Sequence, residues 1–321
     1  MFWRRRIITP MPCLDPLPRR RALAGLSALA GAGLLAAAAP ARAQAPPPLS
    51  KPIPKTGEPL PLVGLGSWIT FNVGADRAGR EASYQVIRAF FDEGGRLIDS
   101  SPMYGSSQPV IGEALARLQQ PKALFSAEKV WTGDATRGPA QMEATRAHWG
   151  VPRLDLMQVH NLLAWEQHLP RLFEMKAAGR LRYVGISTSE GRRHAEIERV
   201  MRQQPIDFVQ LSYNLLDREA EERLLPMAAE RGIAVLANRP FREGALLRQL
   251  ARHPLPGWAA EIGCRHWAQV ALKFVVSHPA VTCAIPATSR VEHLRQNMAA
   301  ARGPLPDAAL RRRMAADVAA L

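Results

Sequence analysis

The sequence predicts an α/β fold, a closed (β/α)8 TIM barrel, and three observations carry that prediction. Beyond residue 60, short apolar or β-branched runs alternate with segments of helical period, eight of each over roughly 250 residues, the size of one such barrel. Asp99, Lys129 and His160 end three successive apolar runs, with Tyr104 just beyond the first, and a parallel barrel carries its chemistry on that rim. The competing doubly wound sheet lacks its usual mark: no G-x-G-x-x-G follows the first strand, where Gly64-Leu65-Gly66 leads into Trp68 rather than into a helix.

The strand runs are 62–68, 96–100, 124–130, 154–160, 183–188, 208–213, 234–238 and 282–286. Helical segments fall at 83–93, 110–118, 139–149, 168–178, 190–202, 220–231 and 264–277, with an eighth at 290–300 after the last strand. Gly94, Gly150, Gly179 and Gly232 follow helices where a left-handed cap is needed, which glycine adopts at no steric cost. The stretch 239–263, rich in Pro, Gly and Arg, exceeds an ordinary connection, and a loop of that length on the catalytic rim folds over a ligand. With 47% apolar residues the chain can fill the core that a single barrel demands.

The first 43 residues have a different composition. Arg19-Arg20-Arg21 precedes an Ala/Leu/Gly-rich stretch, 22–39, and Ala41-Arg42-Ala43 forms a small-x-small cleavage site before Gln44. The pattern resembles a twin-arginine export signal, so the expectation is a signal peptide over 1–43 and a mature protein in the periplasm. A retained anchor and a Sec signal are the alternatives; the apolar run, weakly hydrophobic and about 18 residues long, is short for a permanent span. Residues 44–59 read as a linker, with five prolines between 45 and 54, and 60–321 as the barrel domain. Seven arginines and one aspartate in 1–43 account for +6 of the formal charge of +14. The remainder shows no basic run interleaved with aromatics and no zinc-finger spacing, which argues against nucleic acid as a partner.

Cysteine usage agrees with folding before export. Cys13 lies in the signal, and Cys264 and Cys283 stand at opposite ends of a predicted helix roughly 20 Å long, too far apart to bridge. Neither a Cys/His cluster nor a close His/carboxylate set suggests a metal.

The chemistry explains why an acid, a phenol, an amine and an imidazole should meet. The segments that carry them, 97–105, 128–130 and 158–161, resemble the aldo/keto reductase superfamily, which implies reduction of a carbonyl by hydride; that leaves an alkoxide to be protonated, and a phenol with a reference pKa of about 10 is a poor donor at neutral pH. Lys129 beside Tyr104 would favour the phenolate, Asp99 would keep the lysine charged, and His160 could donate a hydrogen bond to the carbonyl oxygen. Singly, each has an ordinary structural explanation; together, at matching strand ends, they make a catalytic set.

Leu97-Ile98-Asp99-Ser100-Ser101-Pro102-Met103-Tyr104-Gly105, Glu128-Lys129-Val130 and Gln158-Val159-His160-Asn161 resemble the aldo/keto reductase superfamily, and the likeness spans the mature chain. The resemblance implies a monomeric enzyme in which Tyr104 is the acid, Lys129 its modulator, Asp99 the supporter and His160 the orienter, with NADP(H) favoured over NAD(H). It further implies that Asn161, Ser187, Thr188 and Gln210 hold the nicotinamide amide and Tyr213 stacks on its ring. Pro286, Thr288, Ser289, Arg290, Gln296 and Asn297 would grip the phosphates, Arg290 replacing a lysine that is absent at Ala287; Arg239 and Arg242 add charge nearby. Asn238-Arg239-Pro240-Phe241 departs from the family's Ser-Pro-Leu at the end of strand seven. An apolar wall of Trp68, Phe71, Met103, Trp131 and Leu162 suits a small or medium uncharged carbonyl compound. Two other functions fit the same residues: a nucleotide-binding regulatory module with little turnover, and an aldolase-like barrel with Lys129 as Schiff-base nucleophile.

Overall fold

A computed structural model describes residues 46–321; the expected signal and Cys13 lie outside the described residues. The chain opens with an antiparallel hairpin, β1 (Ser50–Pro52) and β2 (Pro59–Pro61). Eight parallel strands follow, β3 (Leu65–Gly66), β4 (Leu97–Asp99), β5 (Phe125–Val130), β6 (Leu154–Val159), β7 (Leu181–Ser187), β8 (Phe208–Ser212), β9 (Ala234–Asn238) and β10 (Val281–Ala284), each hydrogen-bonded to the next in chain order. Parallel bridges Val63↔Ala284 and Gly66↔Ala287 join the first strand region to the last, closing the sheet.

The helices outside the sheet are α1 (Arg77–Asp92), α2 (Ser107–Arg117), α3 (Gly138–Trp149), α4 (Trp165–Ala177), α5 (His194–Gln203), α6 (Leu224–Glu230), α7 (Ala245–Leu250), α8 (Trp258–Glu261), α9 (Trp267–Ser277), α10 (Val291–Ala299) and α11 (Ala308–Ala319). The predicted caps hold: Gly94, Gly150, Gly179 and Gly232 have φ of 82°, 65°, 71° and 62°. Helix α1 starts six residues before its apolar periodicity because Asp76 accepts the N–H groups of Ala78 and Gly79. The long 239–263 segment contains α7 and α8, and α11, unpredicted from sequence, is anchored by Arg311, which donates to Ser277 Oγ at 2.8 Å and to the Tyr213 hydroxyl at 2.6 Å.

Strand alternation divides the core in two. Leu97, Phe125, Ala127, Leu156, Tyr183, Phe208 and Leu236 fill the barrel, whereas the larger cluster lies between strands and helices. The hairpin, which spans the end of the supposed linker 44–59 and the first residues of the barrel domain, supplies the barrel's floor: Ile53 and Leu60 are fully buried in the inner cluster, where each contributes about 1.5–3 kcal/mol from burial. Lys51 fastens the hairpin by donating to the carbonyls of Val276, His278 and Val281 at 2.8, 2.6 and 2.7 Å, and burial lowers its pKa to about 8. Proline content therefore marked an edge hairpin here, a position where the missing N–H is tolerated.

The same alternation turns Glu128 outward while Lys129 faces the barrel. Glu128 is nonetheless fully buried beneath α2 and α3, accepting Trp149 Nε1 at 2.8 Å, Gln108 Nε2 at 3.0 Å and the Lys129 backbone N–H at 3.0 Å. Gly112 admits this close packing, since a Cβ there would meet the His148 carbonyl oxygen at 1.7 Å. Burial, opposed by Lys129, pushes the Glu128 carboxyl up to about 7 from an ordinary 4.5. Between those values the unfolded chain releases a proton that the folded chain keeps, so this group's contribution to stability falls as pH rises from 4.5 through 7. Glu128→Gln removes that slope: measured by denaturant titration, the variant's stability relative to the parent should rise by roughly 3 kcal/mol between pH 4.5 and pH 8, whatever its offset. An unchanged difference at the two pH values would show that folding leaves the Glu128 carboxyl at its ordinary value.

Candidate active site

The C-terminal ends of the strands open into a cavity of about 570 Å³. At its base, β4 delivers Asp99 and β5 delivers Lys129 pointing into the barrel, because Leu97 and Phe125, two and four residues earlier, belong to the inner core. Lys129 Nζ, fully buried, donates to Asp99 Oδ2 at 2.6 Å and to the Ser100 carbonyl at 2.8 Å, which leaves its third N–H for the phenol side. Nζ lies 5.3 Å from the centroid of the Tyr104 ring. Asp99 Oδ1 accepts Gln210 Nε2 at 2.8 Å and Gln158 Nε2 at 3.2 Å, while the Asp99 carbonyl accepts the Ser67 hydroxyl at 2.9 Å.

His160 enters at the end of β6, its ring edge-on to Tyr104 with centroids 5.6 Å apart at 86°. Ser101 Oγ lies 2.7 Å from Nδ1. Burial, helped by the Lys129 charge, pushes the imidazole down to about 2, so it is neutral at physiological pH. For Lys129, burial favours the neutral amine, but Asp99 and Tyr104 outweigh it and hold the pKa above its ordinary value. The Tyr104 phenol differs from the expectation of a lowered pKa: burial raises it, Asp99 and Glu128 add to the rise, and the opposing pull of Lys129 does not overcome them.

The predicted residues Asn161, Ser187, Thr188, Gln210, Pro286, Thr288, Gln296, Asn297, Trp68 and Met103 line the cavity beside Asp99, Tyr104 and His160. The Gln210 amide is committed to Asp99. Six placements need correction. Tyr213 follows the inward-facing Gln210 and Ser212 on β8, so it points into the helical layer, where it is fully buried, donates to Glu221 and accepts Arg311. Phe71 and Leu162 pack into the outer core, the latter in a 3₁₀ turn with φ of 54°. Trp131 is exposed outside the cavity lining, its backbone held by Gln141 through bonds of 2.7 and 2.9 Å. Ser289 and Arg290 are exposed at the start of α10 outside the lining, Arg290 paired with Glu292 at 3.0 Å.

Sequence reasoning missed His293, which lines the cavity one helical turn from Gln296 and Asn297; the i, i+3, i+4 spacing was a usable signal. It also missed Gln158, legible from its inward parity with His160, and the acidic pair Glu190 and Glu243. Arg239 Nη1 bridges those two carboxylates at 2.8 and 3.1 Å, joining the loop after β7 to the loop after β9 across the cavity. Its Nε is buried there with no partner among the described residues. Among the described residues no side chain caps α10, whose His293, Gln296 and Asn297 line the cavity. Both expected free thiols, Cys264 and Cys283, are buried and unbridged.

Residues 62–316 match the aldo/keto reductase family. Methylglyoxal reductase YeaE of Escherichia coli K12 is 29% identical over 245 residues, covering 75% of this chain and 85% of that protein. The NADH-specific methylglyoxal reductase of the same organism is 25% identical over 245 residues, 65% of this chain and 72% of that one. Among solved structures, an aldo/keto reductase from Klebsiella pneumoniae in complex with NADP and acetate superposes with a TM-score of 0.70 at 22% identity, over 83% of this chain and 94% of that one.

Proposed function

Because the chain belongs to the aldo/keto reductase family, we propose that it reduces an aldehyde or ketone to the alcohol with NADPH, Tyr104 delivering the proton. The observation that carries this reading is the buried Lys129, clamped by Asp99 at 2.6 Å with its Nζ 5.3 Å from the centre of the Tyr104 ring. The residues present fit a dinucleotide: among the described residues Arg239 keeps an unpartnered buried N–H in the cavity wall, and α10 turns His293, Gln296 and Asn297 to the same cavity. Asn161, Ser187 and Thr188 would hold the nicotinamide end, with Thr288, His293, Gln296 and Asn297 toward the adenosine end. NADP(H) is preferred, in keeping with the NADP-bound neighbour, and NAD(H) is second, as one relative is named NADH-specific.

When bound, the nicotinamide supplies hydride to the carbonyl carbon. His160 donates to the carbonyl oxygen and holds it toward Tyr104. The Tyr104 O–H bond then breaks, its proton passes to the alkoxide oxygen, and Lys129 stabilises the phenolate left behind. Burial that raises the phenol's pKa keeps Tyr104 protonated until that moment. A regulatory module with little turnover is not favoured, since relatives across the matched region are named reductases.

For the N-terminus, the reading is export of the folded, nucleotide-loaded barrel by the twin-arginine route, supported by Arg19-Arg20-Arg21 and by two free thiols in a chain bound for the periplasm. Changing the three arginines to lysine should leave a folded precursor in the cytoplasm; wild-type amounts in the periplasmic fraction would reject the route and leave the barrel's chemistry untouched.

Tyr104→Phe tests the chemistry itself. Aldehyde reduction should fall at least about 100-fold while NADPH affinity, followed by fluorescence titration, stays near the parent's. Undiminished turnover would remove Tyr104 as the acid.

A further inference from the structure

Ser101 is fully buried behind the imidazole of His160, two residues beyond Asp99 and three before Tyr104. Its Oγ lies 2.7 Å from His160 Nδ1 and accepts the Met103 backbone N–H at 3.2 Å. Because the ring is neutral, one of its nitrogens carries a proton and the other does not. Only an N–H directed into the cavity can donate to a carbonyl oxygen.

The hydroxyl's own inventory decides which nitrogen it is. A serine has one hydrogen to give and two lone pairs to receive. Were Nδ1 protonated, Ser101 Oγ would accept from both Nδ1 and Met103, and its hydrogen would be buried without an acceptor, since among the described residues no other partner of Oγ is found. With Nδ1 bare, Ser101 donates to it, Met103 donates to Ser101, and every group is satisfied. Nε2, which has no partner among the described residues, then carries the proton in the wall of the cavity that His160 lines.

We infer that Ser101 is a positioning residue that fixes His160 in the Nε2–H tautomer, aimed at the substrate's carbonyl oxygen. The inference rests on the carbonyl reduction proposed above and acts only through His160; Ser101 touches no reacting atom. One loop thus sets both the proton donor and the tautomer of its partner.

The test is ¹⁵N NMR of histidine-labelled full-length protein, parent and Ser101→Ala, with steady-state kinetics on an uncharged aldehyde and NADPH. In the parent, His160 should show a protonated Nε2 and a bare, hydrogen-bonded Nδ1. In Ser101→Ala the Nδ1 signature should be lost and the ring should populate both tautomers, with kcat about tenfold lower and KM and NADPH affinity little changed. A proton on Nδ1 in the parent overturns the inference, as does a variant whose tautomer and kcat both match the parent's. The tautomer is read without turnover, so a parent inactive on every carbonyl yet showing the Ser101-dependent Nε2–H form would contradict only the functional reading.

Discussion

The buried ion pair between Asp99 and Lys129 sets the terms for the rest of the barrel. Two ions leave water at a cost of several kcal/mol each, and a contact of 2.6 Å offsets that only if the remaining donors and acceptors are also met. Gln158, Gln210 and the Ser100 carbonyl meet them. These groups come from β4 and its loop, β5, β6 and β8, so the pair is satisfied only when four strands share one register. Lys129 stands opposite Gln158, and Asp99 opposite Ala127. A slip of one residue in β5 would exchange Lys129 for Glu128, placing a carboxylate against Asp99 inside the barrel and an ammonium against Trp149 outside it. Neighbouring opposite charges on one buried strand thus enforce the register that the chemistry requires.

Much of this was legible in the sequence because both the period of the strands and the charge at their ends are local signals. Asp99, Tyr104, Lys129 and His160 could be placed because each ends, or directly follows, an apolar run whose parity is fixed by residues deeper in the barrel. Several errors have the same origin. Phe71, Leu162 and Trp131 lie beyond strand ends, where the backbone turns and parity no longer tells inside from outside, and Asn161 and Leu162 both take positive φ there; Tyr213, by contrast, was readable from its outward parity after Gln210 and Ser212. Arg290 was assigned by charge and proximity to α10, but an exposed guanidinium finds its nearest carboxylate, Glu292, rather than the cavity. The hairpin was hidden by proline content that in a chain interior would have signified a linker.

The cavity's two ends have contrasting electrostatics. Near the barrel axis every charge is paired and buried, which fixes positions before any ligand arrives and removes the need for reorganisation during reaction. At the rim, the bridge from Arg239 to Glu190 and Glu243 links separate loops, several of whose residues take positive φ. Rigid chemistry at the base and loop-borne contacts at the rim match the division of labour usual in this architecture.

In the proposed reaction Lys129, held by Asp99, supplies the charge that makes Tyr104 a competent acid. The most direct measurement is the pH dependence of NADPH-driven aldehyde reduction in Lys129→Met beside the parent. The variant should lose at least about 100-fold at neutral pH and keep residual activity whose pH profile is displaced upward, since the phenolate has lost its neighbouring cation. A folded Lys129→Met enzyme with the parent's rate and pH profile would contradict it.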